Sequence, residues 1–215
     1  MEKNNDKLRY ERELEQSGFR AVAGVDEVGR GPLAGPVVCA AVIMPTEEST
    51  LIEGIDDSKK LSPKKREALA ELIKERAIAY RIEEVQASVI DEINILQATR
   101  LCMKRAVEGL SPAADFVITD GNMTLDIALP QKSIIKGDAL SYSIGAASIL
   151  AKVYRDALMC EYAKDFPAYG FERNAGYGTA QHIAAIREEG ICKIHRKTFV
   201  GKFWDGREKT PPANT

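Results

Sequence analysis

Short apolar runs alternate along this chain with longer stretches in which apolar residues recur at helical spacing. Residues 37–44 are apolar throughout, which predicts a strand covered on both faces. Further strands are predicted from shorter apolar or alternating runs at residues 19–27, 80–86, 116–119 and 133–135. Helices are predicted at residues 4–17, 62–78, 89–110 and 141–163. The alternation of strands with helices predicts an α/β domain.

Residues typical of helix ends support these boundaries. Gly18 follows the first helix, Ser62 and Pro63 suit the start of the second, and we place Ser88 as the N-cap of the third. After Pro167, glycines, aromatic residues and basic residues replace the earlier pattern. We therefore divide the chain into an N-terminal helix or extension (1–18), a main domain (19–165), a small C-terminal helical segment (166–205) and a flexible tail (206–215).

Composition and cysteine usage narrow the class of protein. Of 215 residues, 45% are hydrophobic and 29% are charged, as in an ordinary globular protein. No apolar run approaches the ~18 residues of a membrane-spanning helix, and the charged N-terminus is unlike a signal peptide, so we expect a soluble, cytoplasmic protein. The four cysteines form no Cys-x-x-Cys pair. Only His195 and His182 could join Cys192, which disfavours a zinc site.

The charge balance excludes one class of nucleic-acid-binding protein and leaves another open. A formal net charge of −2 excludes a protein whose overall positive field holds nucleic acid. Two local basic patches remain: Lys59 and Lys60 with residues 64–66, and residues 172–215, where eight basic side chains face five acidic ones. Each patch is either a solvated face or a set of phosphate contacts.

Acidic residues end several of the predicted strands. Asp26 and Glu27 close the first, and Asp120 and Asp138 follow two later ones, each beside a glycine. One such aspartate is usually a turn former or helix cap, but ligands in α/β proteins gather at the carboxyl ends of strands, where these side chains could converge. Converged carboxylates need a cation, and an all-oxygen site suits Mg²⁺ or Mn²⁺. Two such ions ~4 Å apart catalyse in-line displacement at phosphorus. A glycosidase carboxylate pair is the rival interpretation, but it explains neither the basic patches nor the glycines.

Several motifs, taken in order, carry a resemblance to a known family. The first is Asp26-Glu27-Val28-Gly29-Arg30-Gly31-Pro32-Leu33-Ala34-Gly35-Pro36-Val37, followed by Asp57-Ser58-Lys59-Lys60-Leu61 and Thr119-Asp120-Gly121. Lys136-Gly137-Asp138, residues 146–156, Gly176-Tyr177-Gly178-Thr179 and His195-Arg196 complete the series. From about residue 19 to residue 203 the chain resembles bacterial ribonuclease HII.

The resemblance implies a fold, an activity and a metal site. The fold is a ribonuclease H-like mixed five-stranded sheet flanked by helices, with a small C-terminal helical substrate-binding segment. The activity is cleavage of RNA in RNA–DNA hybrids and on the 5′ side of single ribonucleotides in duplex DNA, leaving 3′-hydroxyl and 5′-phosphate ends. Asp26 is expected to bridge two Mg²⁺ or Mn²⁺ ions, Asp138 to hold the ion that activates water, and Glu27 and Asp120 the other ion.

The resemblance also implies substrate contacts by a protein that we expect to be a monomer. Gly29, Arg30 and Gly31 are expected to read the ribose through their backbone, and Tyr177 to stack on the neighbouring sugar. The alternative is that the glycines only make a turn and that Tyr177 is a packing aromatic, which the residues alone favour for Tyr177. The expected phosphate contacts are Lys59, Lys60 and Arg196 with Lys197, and Thr179 at the start of a helix.

Two positions depart from the family pattern, and one acid is set apart from the site. Ala175 stands where the family has lysine, so one phosphate contact is expected to be missing. Gly145 replaces a helix alanine, at a cost of at most ~1 kcal/mol in helix propensity. Asp156 lies deep in the predicted helix 141–163, and we interpret it as structural.

Two alternatives to a ribonuclease remain open from the sequence. One is a non-catalytic nucleic-acid-binding module on the same fold, although carboxylates that repel phosphate would serve no purpose there. The other is a two-metal nuclease of the same superfold that cuts DNA.

Overall fold

A mixed five-stranded sheet lies at the centre of the molecule in the computed structural model, which describes residues 6–208. The sheet has the order β3-β2-β1-β4-β5, in which β2 is antiparallel to β1 and β3, while β4 is parallel to β1 and β5. This architecture confirms the predicted fold class. The strands are β1 (Val22–Val28), β2 (Val37–Ile43), β3 (Ala79–Val85), β4 (Phe116–Asp120) and β5 (Gln131–Ile134).

Helices cover both faces of the sheet. They are α1 (Arg9–Gln16), α2 (Pro63–Arg76), α3 (Ala87–Glu108), α4 (Gly137–Leu140), α5 (Tyr142–Asp165), α6 (Phe171–Asn174), α7 (Ala180–Glu189) and α8 (Lys197–Val200). Successive residues of β2 face opposite sides: Val37 and Cys39 share a core with α3, whereas Val38 and Ala40 share another with α2 and α5. This two-sided burial explains why the β2 sequence is apolar throughout.

The beginning of α5 lies directly against β1. A Cβ atom on Gly24 would stand 2.2 Å from the backbone carbon of Ser143, so the helix touches the strand with no side chain between them. The Ser141 hydroxyl caps α5 by accepting a hydrogen bond from the backbone N–H of Ile144 at 3.2 Å. The close contact fixes α5 relative to the strand that carries Asp26.

Several predicted boundaries differ from the structure. β1 begins at Val22 rather than residue 19, because the N–H groups of Arg20 and Ala21 donate to the Asp115 carboxylate instead of a strand. The third helix begins at Ala87, so Ser88 is not its N-cap. Asn94 interrupts that helix at a φ of 66° and caps its second half, with its side-chain oxygen accepting from two backbone N–H groups.

The C-terminal segment builds a core of its own against the end of α5. Met159 packs there with Tyr169, Phe171, Ile186 and other apolar residues. The backbone N–H of residue 191 donates to the carbonyl of residue 207 at 3.1 Å, so the chain is tied to the segment as far as residue 208. The rest of the predicted tail and residues 1–5 of the N-terminal extension lie outside the described residues. Within residues 6–208, no helix combines the length and the apolar character needed to cross a membrane.

Candidate active site

The four predicted carboxylates stand along one edge of the sheet. β1 and β4 pair in parallel as far as Val25 opposite Thr119, so Asp26 and Asp120 are the next residues on adjacent strands. Glu27 follows on β1, and Asp138 lies in the first turn of α4, just after β5. Because β1, β4 and β5 are parallel, their carboxyl ends meet at the same edge.

Burial and mutual repulsion act on these carboxylates. Asp26 is only 6% exposed, and burial, together with the charges of Glu27 and Asp120, raises its pKa well above the ordinary range. Burial also raises the pKa of Glu27, with Arg30 opposing the rise and Asp120 adding to it. The pKa of Asp138 is raised by burial and by Asp120. Asp120 thus contributes to the field at each of the other three carboxylates.

Local backbone geometry holds Asp120 and Asp138 in place. The backbone N–H of Gly137 donates to the Asp120 carboxylate at 2.7 Å. Lys136 adopts a φ of 60°, which turns the chain from β5 into α4. Gly145 on α5 has a role that its low helix propensity does not suggest: a Cβ there would stand 3.1 Å from the Asp138 carbonyl oxygen, so glycine lets α4 lie close to α5.

The donor set suits a hard divalent cation. The four acids present carboxylate oxygens, which Mg²⁺ and Mn²⁺ prefer, and a cation would offset the burial and the repulsion that raise the pKa of Asp26. Among the residues described, however, no group of three or more His, Cys, Asp or Glu side chains is gathered closely enough to hold a metal ion. The edge therefore offers carboxylate oxygens of the kind these ions prefer, but not a closed coordination shell.

The turn formed by Gly29, Arg30 and Gly31, here called the glycine turn, borders the carboxylates, and two buried arginines pack against it. Gly29 has a φ of 90°, and a Cβ there would stand 2.2 Å from Nε of Arg155. Arg155 is fully buried and donates to the carbonyls of Pro36, Ala34 and Ala175. Arg155 was not among the predicted site residues, although an arginine in a helix of small apolar residues is a visible sequence signal.

Arg196 is not the surface phosphate contact that the resemblance implied. It is fully buried, and its guanidinium donates to the backbone carbonyls of Gly29, Arg30 and Gly35. Burial and the neighbouring charge of Arg155 lower its pKa to about 9. Lys197 is exposed and forms an ion pair with Glu208.

The exposed end of the turn faces Tyr177. Gly31 is exposed and its φ is not left-handed; a Cβ there would meet only the Tyr177 ring, at 3.6 Å. Tyr177 is 46% exposed. Arg30 is also exposed, and its guanidinium lies 3.4 Å from the Glu27 carboxylate.

Three predicted site residues remain, Lys59, Lys60 and Thr179, and each has different neighbours. Lys59 is exposed, and its charge lowers the pKa of Glu27 and Asp138, which places it beside the carboxylates. Lys60 instead pairs with Asp56 at 3.4 Å. Thr179 caps α7 through a hydrogen bond from the backbone N–H of residue 182 at 3.2 Å.

One small cavity joins several of these groups. It has a volume of about 170 Å³, and its lining includes four residues that were not among the predicted site residues, Val28, Ser58, Ser148 and Lys152. The Ser148 hydroxyl bonds to the Ser58 hydroxyl at 2.9 Å, and Lys152 pairs with Asp156 at 2.6 Å, which agrees with a structural role for Asp156. The lining comprises Asp26, Glu27, Val28, Ser58, Lys59, Ser148, Lys152 and Tyr177.

Cys192, His195 and His182 do meet in the C-terminal segment, but through hydrogen bonds. The backbone N–H of Cys192 donates to Nδ1 of His195 at 2.9 Å, and the Nε2 atoms of the two histidines lie 3.0 Å apart. Ala175, the departure from the lysine pattern, adopts a φ of 48°, and its carbonyl accepts from Arg155.

Comparison with known proteins places the chain in a family. The model that describes the family "Ribonuclease HII" matches residues 23–203. The chain is 54% identical over 191 residues to a ribonuclease HII of Shouchella clausii, covering 89% of this chain and 73% of that protein. It is also 54% identical over 194 residues to a ribonuclease HII of Chlorobium chlorochromatii, covering 88% and 94%. The ribonuclease HII solved in complex with PCNA from Archaeoglobus fulgidus is similar in structure, with a TM-score of 0.72 and 26% identity over 89% of this chain and 98% of that one. This chain therefore belongs to the ribonuclease HII family and is an endonuclease of the ribonuclease H type, acting on RNA–DNA.

Proposed function

We propose that this ribonuclease cuts the RNA strand of RNA–DNA hybrids and cleaves duplex DNA on the 5′ side of single embedded ribonucleotides, leaving 3′-hydroxyl and 5′-phosphate ends. The observation that carries the proposal is the single small cavity lined by the Asp26 and Glu27 carboxylates, the Lys59 ammonium and the Tyr177 ring. Groups suited to phosphodiester chemistry and a group suited to stacking on a sugar thus share one site.

The carboxylates are assigned to two divalent ions. Asp26, Glu27, Asp120 and Asp138 would hold two Mg²⁺ or Mn²⁺ ions, with Asp26 shared, and substrate phosphate would complete the second. When bound, such ions supply an activated water and stabilise the leaving oxygen. The protein's own contribution is to hold four mutually repelling carboxylates at one edge, with Lys59 beside them as a counter-charge.

The glycine turn is assigned to the ribose. Arg196 draws the carbonyls of Gly29 and Arg30 toward the protein interior. In a trans peptide the N–H points opposite to the carbonyl, so the N–H groups of Arg30 and Gly31 are directed away from Arg196, towards the open side of the turn. These donors, with the Gly31 carbonyl as acceptor, suit a 2′-hydroxyl, which both accepts and donates hydrogen bonds.

The remaining contacts are assigned by position. Lys59, whose charge acts on Glu27, would contact the phosphate beside the scissile bond, and Thr179, the N-cap of α7, would contact a phosphate at the start of that helix. Lys60, which is paired with Asp56, is the weaker candidate of the two lysines. Arg196 acts indirectly, by holding the turn. That the protein is cytoplasmic and monomeric stays a prediction.

Three matched duplexes with Mg²⁺ or Mn²⁺ test the proposal: one with a single ribonucleotide, one continuous hybrid and one of DNA alone. We expect cleavage of the first two, a 3′ end that a polymerase can extend, and no cleavage when the metal is chelated. Asp26→Asn should abolish cleavage but not binding, whereas Asp126→Asn, at an exposed carboxylate away from this edge, should cleave normally. Binding without cleavage would favour the non-catalytic module, and equal cleavage of all-DNA duplex would favour the DNA-directed nuclease.

A further inference from the structure

Two buried histidines of the C-terminal segment connect the backbone of Tyr177 to that of Cys192. His182 on α7 is fully buried and His195 is 3% exposed. Aromatic side chains enclose the pair, with the Tyr169 ring 4.7 Å from the His195 ring and the Phe171 ring 5.4 Å from the His182 ring, between centroids. Neither histidine lines the cavity beside the carboxylates.

The hydrogen bonds around the pair define which nitrogen carries each proton. A backbone N–H can only donate, so the bond from Cys192 makes Nδ1 of His195 an acceptor. Neutral His195 then carries its proton on Nε2 and donates to Nε2 of His182 at 3.0 Å. His182 therefore carries its proton on Nδ1 and donates it to the Tyr177 carbonyl at 2.9 Å. With both rings neutral, this arrangement satisfies the bond from Cys192, the bond between the histidines and the bond to Tyr177, whereas the 3.3 Å approach of Nδ1 of His195 to the Cys192 carbonyl oxygen is then a contact between two acceptors.

The surroundings favour the neutral forms that this arrangement requires. Burial and His182 lower the pKa of His195 to about 3, and burial lowers the pKa of His182. The titratable neighbours are neutral too, since burial raises the pKa of Tyr169 and raises that of Cys192 to about 12. Arg196 follows His195 directly in the sequence, and its charged guanidinium donates to the carbonyls of Gly29, Arg30 and Gly35.

The end of this chain of bonds is the backbone of an exposed aromatic residue. The Tyr177 carbonyl accepts from His182 and also from the N–H of Thr179 at 2.8 Å, while its own N–H donates to the Asn174 carbonyl at 2.8 Å. The ring is left exposed beside Gly31. A stacking residue discriminates between sugars only if its backbone is fixed, because otherwise the ring follows the substrate.

We propose that His182 and His195 form a neutral hydrogen-bonded relay that positions Tyr177, so that they determine how strongly the enzyme prefers an RNA-to-DNA step over a continuous hybrid. They are positioning residues and do not touch the substrate. The inference rests on the proposed role of Tyr177 in stacking on the sugar.

The test compares kcat/KM on a single-ribonucleotide duplex with kcat/KM on a continuous hybrid. His182→Leu should lower this preference about tenfold, because Tyr177 loses its anchor. His182→Asn should retain most of the preference, because its side-chain amide nitrogen takes the place of Nδ1. Ile186→Ala, at a buried residue of the same helix outside the relay, should lower activity on both substrates by the same factor.

Two further measurements separate the possible failures. Tyr177→Ala should lose the preference, and adding His182→Leu to it should cause no further loss. If Tyr177→Ala leaves the preference intact, the proposed role of Tyr177 fails; if it abolishes the preference but His182→Leu does not change it, the relay alone is refuted. Should His182→Leu not fold, imidazole ¹⁵N spectra of the parent protein decide. We expect a proton on Nδ1 of His182 and on Nε2 of His195 at about pH 8 and still at about pH 5.5, and titration near the ordinary value of about 6.5 would overturn the proposal.

Discussion

Replacing either glycine of the glycine turn with alanine should have a different effect: Gly29→Ala should lower stability, whereas Gly31→Ala should lower cleavage. At Gly29 an added Cβ would meet Nε of Arg155 at 2.2 Å and the Pro36 carbonyl oxygen at 2.8 Å, with the backbone at a φ of 90°. Forcing alanine into a left-handed conformation costs about 1–2 kcal/mol. Displacing Arg155 from the Pro36 carbonyl breaks a buried charged hydrogen bond worth about 1.5–3 kcal/mol. Gly29→Ala should therefore destabilise the protein by about 3–5 kcal/mol, or roughly 6–20 °C in Tm.

Gly31→Ala is the matched control, because its φ is not left-handed and its Cβ would make only a van der Waals contact with Tyr177. Its stability should stay within about 0.5 kcal/mol of the parent, as for an ordinary surface substitution. Its cleavage of a single-ribonucleotide duplex should nevertheless fall about 100-fold, since the methyl group would hold the ribose away from the turn. Urea unfolding and steady-state kinetics measure the two effects. Equal destabilisation by both substitutions, or unaltered cleavage by Gly31→Ala, would refute this reasoning.

Three further substitutions test separate parts of the structure. Asp26→Asn should abolish cleavage while the far-UV circular dichroism and the affinity for a nucleic-acid duplex persist; near-normal turnover would exclude a shared-ligand role. Arg196→Lys should cost about 2–4 kcal/mol in urea unfolding, because one ammonium cannot reach three separated carbonyls, and a loss below about 1 kcal/mol would contradict this. Burial raises the pKa of Glu11, so the folded state binds a proton at this carboxylate more tightly than the unfolded state does. The resulting stabilisation is present at low pH and is lost as the pH rises through the pKa of the folded state. The stability of Glu11→Gln relative to the parent should therefore increase from about pH 4 to about pH 8, by about 1.4 kcal/mol for each pKa unit of the shift, and a flat difference would contradict the assignment.

The carboxylates could be predicted from the sequence because the signal is local. Asp26, Glu27 and Asp120 each lie at the end of a recognisable strand, and parallel pairing then places strand ends at one edge. The position of Asp138 depends on one further structural element, the turn between β5 and α4. Lys136 adopts a left-handed conformation that the sequence does not signal, and this turn places Asp138 on a short helix rather than at the end of the strand itself.

The partners of the two buried arginines could not be predicted from local signals, because they lie far along the chain. Arg196 bonds to Gly29, 167 residues away, and Arg155 bonds to Pro36, 119 residues away. An arginine in a basic stretch looks like a surface contact, and only the packing of the C-terminal segment against the turn reveals that Arg196 is buried. The spacing of Cys192 and His195 was visible in the sequence, but the bond between His195 and His182 depends on how α7 packs.

These long-range contacts divide the enzyme into two parts with different physical demands. The carboxylates belong to the sheet and α4, which resist repulsion because their backbone is held by strand pairing and by the close contact of α5 with β1. The glycine turn is held instead by the C-terminal segment, which also carries Tyr177. Arg196 donates to the turn, and the Gly176 carbonyl accepts from the N–H groups of Leu33 and Ala34, which follow it. A change in that segment can therefore shift the groups that we propose to read the sugar without moving the carboxylates. If both proposals hold, substrate preference and catalytic chemistry should be separable by mutation, with preference changing through the C-terminal segment and turnover through the sheet edge.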